Sequence, residues 1–252
     1  VGEKFRKHYT DGIELIPEFF PSEGFKMRFS GKKAKIITSI AMFYDLESPM
    51  DFVRAIAETL EVDGIWHFEQ SYMPTMLRMD AYDTVCHEHL EYYSLTNIER
   101  ILKHNGLKVL DVQFNNINGG SIAVIAGHKS NDSYPKIKPV IEWLLKQETD
   151  MGLNTPDPYL QFGERIIDHR TSLVDLLAKL KNNGQRIIGY GASTKGNVLL
   201  QYCDIIEHDI PFIAEVNEDK FGTYTPGSMI PIIPEEEARS MYPDFFFVLP
   251  WH

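Results

Sequence analysis

The chain has 252 residues, 43% of them hydrophobic and 24% charged, an ordinary globular composition with room for one large domain or two modest ones. Its 25 Lys and Arg against 36 Asp and Glu give a formal net charge of −11, which argues against a nucleic-acid surface, because phosphate backbones are bound by neutralising them with Lys and Arg. No apolar run approaches the roughly 18 residues of a membrane span, and two cysteines are too few for a disulfide framework or a four-thiolate zinc site, so the chain reads as a cytoplasmic protein with reduced thiols.

The first 30 residues are mixed, with Phe19-Phe20-Pro21 reading as the end of an element. Residues 35–40 are a short apolar, β-branched run of the kind found in buried strands. Ser48-Pro49 then introduces a helix over 50–60, where Phe52, Val53, Ile56 and Leu60 recur at helical spacing. Asp63-Gly64 reads as a turn and 65–68 as the next strand, the succession of an α/β sheet. Residues 71–94 show little periodicity. Thr96-Asn97-Ile98-Glu99 has the capping-box pattern, with Thr96 as N-cap of a helix that should stop at Gly106. Residues 107–114 and 121–126 are strands joined by a short turn over 115–120, hence antiparallel. From 135 to 180 the apolar spacing is helical, with a break at Asn154-Thr155-Pro156-Asp157-Pro158, so two helices connect two halves. The α/β pattern then restarts with a strand over 186–190, a glycine-rich loop over 191–196 and a helix from 197. A strand over 211–215, a helix over 234–241 and a strand over 245–249 complete it.

Chemistry is densest over 82–93, where two His with a Glu between them, a Cys and three Tyr lie together. Imidazole titrates near neutral pH and can take a proton in one step and return it in another. Three readings stay open here: an acid/base centre, a metal site (although His87 and His89 fit no usual zinc spacing), and a polar loop beside a sheet. The second cluster is Gly189-Tyr190-Gly191-Ala192-Ser193-Thr194-Lys195-Gly196. A glycine-rich loop between strand and helix lets backbone N–H groups approach a phosphate, and Lys195 adds a charge. The spacing matches neither the dinucleotide fingerprint nor the P-loop, and a tight turn requiring glycine explains the same residues. Glu215 ends the next strand, about where a ribose-binding acid sits in a Rossmann unit. Asn118-Gly119-Gly120-Ser121 reads as a hairpin turn, and Tyr224 to Ser228 as another.

Taken together and in order, these clusters resemble the sugar C-methyltransferases. The resemblance rests on His87-Glu88-His89-Leu90 followed by Tyr92-Tyr93-Ser94-Leu95, on Asn118-Gly119-Gly120-Ser121, on Gly189 to Asn197, on Pro226-Gly227 and on Leu249-Pro250-Trp251. It implies an α/β fold: the second half of a class I methyltransferase (Rossmann-like) sheet over 1–130, a helical connector over 131–183, and a small C-terminal Rossmann-like domain over 184–252 that binds a sugar nucleotide. The family's zinc-binding N-terminal domain and the glycine-rich loop that holds S-adenosylmethionine would precede Val1. The chain is therefore expected to be N-terminally truncated, to hold no metal itself and to bind the donor poorly by itself.

By the same resemblance the family's histidine base falls on His89, with Glu88 and His87 beside it. Cys86 stands where many relatives carry Tyr, so either Tyr82, Tyr92 or Tyr93 fills that role or it is lost. Ala41, Met42, Phe43 and Tyr44 fall beside the methyl donor; Asn118, Ser121, Ser193, Thr194, Lys195 and Glu215 fall toward a nucleoside-diphosphate sugar. The implied chemistry follows from carbon acidity: a sugar C–H is acidic only beside a ketone. His89, oriented by Glu88, removes that α-proton, Tyr82 or His87 hydrogen-bonds the enolate oxygen, and the enolate carbon attacks the sulfonium methyl. The competing expectations are an NAD-linked oxidoreductase, a non-catalytic nucleotide-binding protein and a degenerate relative kept as a scaffold.

Overall fold

From Gly64 to Gln70 every second residue is buried, the period-two signature of a strand with one face in a core. That strand is the centre of the first of two sheets. The computed structural model describes residues 2–10, 12–20, 23–135 and 137–251; Pro21, at the expected end of an element, lies outside them. In chain order the elements are α1 (Glu23–Arg28), β1 (Ala34–Ile40), α2 (Pro49–Thr59), β2 (Leu60–Ser71), α3 (Met73–Met79), α4 (Leu95–His104), β3 (Leu107–Asn115) and β4 (Ser121–His128). They continue with α5 (Lys138–Asp150), α6 (Asp157–Asn182), β5 (Ile187–Tyr190), α7 (Thr194–Tyr202), β6 (Ile213–Glu215), β7 (Ile232–Pro234), α8 (Glu235–Ser240) and β8 (Phe245–Val248). The chain divides into two units that interleave along the sequence. One comprises Val1–Tyr72, Leu90–Asn115 and Ser121–Glu148; the other comprises Met73–His89, Asn116–Gly120 and Thr149–His252.

The first unit is built on the sheet β1-β2-β4-β3, with β1 and β2 parallel and β4 antiparallel to both β2 and β3. Apolar residues of α2 (Phe52, Val53, Ile56) meet Phe43, Trp66, Phe68 and Tyr93 in one core. Each side chain so buried contributes roughly 1.5–3 kcal/mol. The turn expected at Asp63-Gly64 does not exist, because α2 passes directly into β2 and Gly64 lies inside the strand. A Cβ at Gly64 would sit 2.9 Å from the Lys35 carbonyl, and the register against β1 slips between Ala34 and Ile36. The glycine serves a bulge, where two backbones close together.

The start of α4 also differs from the expectation. Ser94, not Thr96, is the N-cap, accepting from Asn97 N–H at 3.3 Å. Thr96 instead gives both its N–H and its hydroxyl to Glu148, at 2.8 and 2.5 Å. Leu95 N–H and the Tyr72 hydroxyl complete the ring around that buried carboxylate at 2.6 and 2.7 Å. An anion against the exposed N–H groups of a helix start is favourable on its own account and outcompetes the local capping box.

The second unit carries the sheet β7-β6-β5-β8, in which all neighbours are parallel. Its core is Leu177, Ile187, Leu200, Ile205, Ile213, Ile230, Ile232 and Leu249. The strand β7, three residues ending in proline, is too short to show a period. The chain steps from β5 to β6 to β7 and returns to the far side of β5 with β8. The order therefore reverses at β5, and loops leaving the carboxyl ends of β5 and β8 meet at such a reversal, the usual ligand edge of an open α/β sheet. The grouping differs from the domain boundaries expected at 130 and 183. The aperiodic segment 73–89 packs with the C-terminal sheet, and the two connector helices divide, with α6 in the second unit and most of α5 in the first. Among the described residues no helix is long and apolar enough to cross a membrane.

Candidate active site

The segment after α3 forms a 3-10 turn at Tyr82–Thr84, buried throughout. Thr84 is anchored by its side chain, whose hydroxyl donates to the Ala81 carbonyl at 2.9 Å. Its own carbonyl lies 2.7 Å from His89 Nδ1. A carbonyl only accepts, so Nδ1 carries the proton and the neutral ring keeps its lone pair on Nε2. A β-turn closes between the two residues, with His89 N–H donating to the Cys86 carbonyl at 3.2 Å. His87 and Glu88 are the central residues of that turn and are exposed. Neither makes a hydrogen bond among the described residues, so the His89 ring is oriented by Thr84 and not by Glu88. The described residues contain no group of three or more His, Cys, Asp or Glu arranged to hold a metal ion.

Tyr82 points away from this turn. Its hydroxyl lies 3.1 Å from His169 Nδ1, on α6, and 3.5 Å from Cys203 Sγ, at the end of α7. Burial, reinforced by Cys203, pushes the phenol well above its ordinary value. Asp83 is more telling. It is buried, its Oδ2 accepts from the indole N–H of Trp251 at 2.6 Å, and its Oδ1 makes no hydrogen bond among the described residues. Burial lowers the Lys195 ammonium, at the first turn of α7, while the charges of Asp83 and Cys86 pull it back up.

The glycine-rich loop is shaped by what rests on it. Ser193 caps α7, its hydroxyl accepting from Gly196 N–H at 3.0 Å. Gly191 has φ +82°, and a Cβ there would lie 2.6 Å from Pro250; one at Gly196 would lie 2.7 Å from Leu249. The tripeptide after β8 thus packs directly on this loop. Thr194 is exposed. Glu215, at the end of β6, accepts from Ala192 N–H and Lys220 through Oε2, and from Val216 and Asn217 N–H through Oε1. Beside it Tyr190, Gly191, Ala192, Ser193, Lys220 and Pro250 enclose a cavity of about 210 Å³.

The remaining expected residues belong mostly to the first unit. Ala41 turns the chain off β1 with φ +51°, its N–H donating to the Glu69 carbonyl at 2.9 Å. Met42 leads into the 3-10 turn Phe43–Asp45, where Phe43 and Tyr44 are buried. Opposite, at the carboxyl end of β2, Gln70 is 1% exposed and neither atom of its amide is hydrogen-bonded among the described residues. Ser121 is buried at the start of β4. The side chain of Asn118 lies outside the described residues. The sequence reading missed Thr84, Asp83, Gln70 and His169. Trp251 was visible in a motif, but its partner lies 168 positions away.

Comparisons with known proteins bear on the family of the chain. Residues 116–252 match the family model described as "C-methyltransferase C-terminal domain", and residues 4–112 match a "Methyltransferase domain" model. The chain is similar to the C-methyltransferase NovU of Streptomyces niveus, with 29% identity over 242 residues, covering 96% of this chain and 57% of that protein. The chain thus spans little more than half the length of this curated relative. Among solved structures it resembles the O-methyltransferase NcsB1 of neocarzinostatin biosynthesis at 19% identity and a TM-score of 0.31, over 39% of this chain and 30% of that one. It also resembles the Synechocystis magnesium protoporphyrin IX methyltransferase at 12% identity and a TM-score of 0.32, over 39% of this chain and 47% of that one. The C-terminal family match covers more than half of the chain, and the chain belongs to the C-methyltransferase family.

Proposed function

We propose that the chain is part of an S-adenosylmethionine-dependent C-methyltransferase acting on a nucleotide-linked keto sugar, with His89 as the base that removes the α-proton. The observation that carries this reading is the His89 Nδ1–H bond to the Thr84 carbonyl, which supports Nε2 as the proton acceptor. A base must present an unprotonated nitrogen in a fixed direction, and a backbone carbonyl that can only accept fixes both. His87, at the outer corner of the same turn, is the donor we assign to the developing enolate oxygen. Tyr82 then serves as an anchor of the 3-10 turn Tyr82–Thr84, since its hydroxyl is engaged by His169 and Cys203.

For the donor, the carboxyl edge of β1 and β2 has the right character: the turned-off backbone at Ala41, the aromatic pair Phe43 and Tyr44, and the buried Gln70 amide, unbonded among the described residues. Ala41, Met42, Phe43, Tyr44 and Gln70 would hold S-adenosylmethionine there, which when bound supplies an electrophilic methyl group. Ser121 and Asn118 remain assigned to the sugar nucleotide, with Ser193, Thr194 and Lys195 toward its phosphates.

The test uses the full-length protein. With the keto-sugar nucleotide in deuterated water and no methyl donor, the wild type should exchange the substrate's α-proton with solvent. His89→Gln should lose exchange and turnover by at least about 100-fold while still binding substrate. Retained exchange in that variant would remove His89 from the role of base.

A further inference from the structure

We propose that Trp251 is a positioning residue for His89: its indole N–H, through Asp83, holds the Tyr82–Thr84 turn where the Thr84 carbonyl fixes the imidazole. This rests on the reading of His89 as the base. The path has two hydrogen bonds and one shared turn. Trp251 Nε1–H donates to Asp83 Oδ2 at 2.6 Å; Asp83 and Thr84 are neighbours in a single 3-10 turn; and His89 Nδ1–H donates to the Thr84 carbonyl at 2.7 Å. The indole bond is the only hydrogen bond that the Asp83 carboxylate makes among the described residues. A buried carboxylate with one hydrogen-bond donor is held toward that donor, because displacement strips its one hydrogen bond and leaves only the charge of Lys195 to offset lost water.

The ring itself cannot drift. A Cβ at Gly119 would lie 2.7 Å from the indole Cη2, and Gly119 has φ +79°, so the turn preceding β4 is glycine where the indole covers it. Pro250, one residue earlier, lies against Gly191 of the glycine-rich loop. Trp251 therefore joins the histidine segment to the Asn118-Gly119-Gly120 turn, while its neighbours Leu249 and Pro250 rest on the glycine-rich loop. These three motifs are far apart in sequence, and the order reversal of the second sheet is where such loops converge.

The turn also has local anchors, the Thr84 hydroxyl on Ala81 and the Tyr82 hydroxyl near His169, and these would hold it without Trp251 if the indole were only packing. Trp251→Phe in the full-length protein separates the two accounts, since it keeps the ring and deletes the N–H. The expected result is a kcat lower by about 10- to 100-fold with KM for the sugar nucleotide within about twofold. Nitrogen NMR of the His89 ring should show the Nδ1–H tautomer losing population, a change that loss of packing alone would not produce. An unchanged tautomer in Trp251→Phe overturns the proposal, whatever the activity; so does an unchanged kcat. If His89→Gln keeps α-proton exchange, the assignment of the base fails separately, and the tautomer measurement still judges the link from Trp251 to the ring.

Discussion

Glu215 ends β6 with both carboxylate oxygens engaged, by three backbone N–H groups and the Lys220 ammonium. Counting along the sequence assigned it to a ribose. The Ala192 N–H that a dinucleotide's phosphate would use points instead at Glu215 itself. Burial alone would raise this carboxyl, but the donors outweigh it and hold it below its ordinary 4.5. A carboxyl lowered by folding adds stability that is complete above its unfolded value and is lost as the pH falls through its folded value. Glu215→Gln should therefore lower unfolding stability by about 2 kcal/mol at pH 7 and by progressively less below pH 4.5, as followed by urea denaturation across pH. The residue type and its place at a strand end were legible in the sequence. Its partners were not, because two of them are N–H groups of the turn it starts, and turn conformation follows from packing. His89 repeats the lesson: the acid/base cluster could be read, but the group that orients the ring is a backbone carbonyl, which no sequence pattern marks.

Among the elements, α4 is the clearest case of a local signal overruled. Thr96 and Glu99 have the right spacing for a capping box, and Ser94 takes the cap because Glu148, 52 positions beyond Thr96, draws Thr96 to itself. Four donors converge on that carboxylate from Tyr72, Leu95 and Thr96. Glu148→Gln exchanges a charge held by N–H and O–H donors for an amide whose NH2 must face one of them. The variant should lose about 2–3 kcal/mol of unfolding free energy, measurable by urea denaturation. Gly64 shows the opposite mismatch. Asp63-Gly64 is a good turn signal, yet close approach of the Lys35 carbonyl requires glycine within a strand just as strictly. Strands and helices with clear periods were legible, whereas β7, at three residues, offered no period to read.

At the scale of the molecule, the α/β class followed from alternating strand and helix patterns, and each unit does carry its own four-stranded sheet. The interleaving did not follow, because segment 73–89 has no period and its allegiance is decided by distant partners such as Trp251. The carboxyl edge of the second sheet separates the ligand classes. The glycine-rich loop lacks the dinucleotide spacing, so calorimetric titration of the full-length protein should detect a nucleoside-diphosphate sugar and no NAD(H) at matched concentrations. Tight NAD(H) binding would favour an oxidoreductase. Interleaving also has a consequence for recombination with relatives. Each unit is assembled from three stretches that alternate along the chain, so the polypeptide passes from one to the other five times. No single crossover can exchange one unit whole. A junction after Glu148 keeps the first sheet from one parent, yet it pairs that parent's Asp83 with the other parent's Trp251. Chimeras that exchange substrate preference should therefore need at least the 73–89 and 116–120 segments to travel with the C-terminal part, as one inheritance unit scattered over the gene.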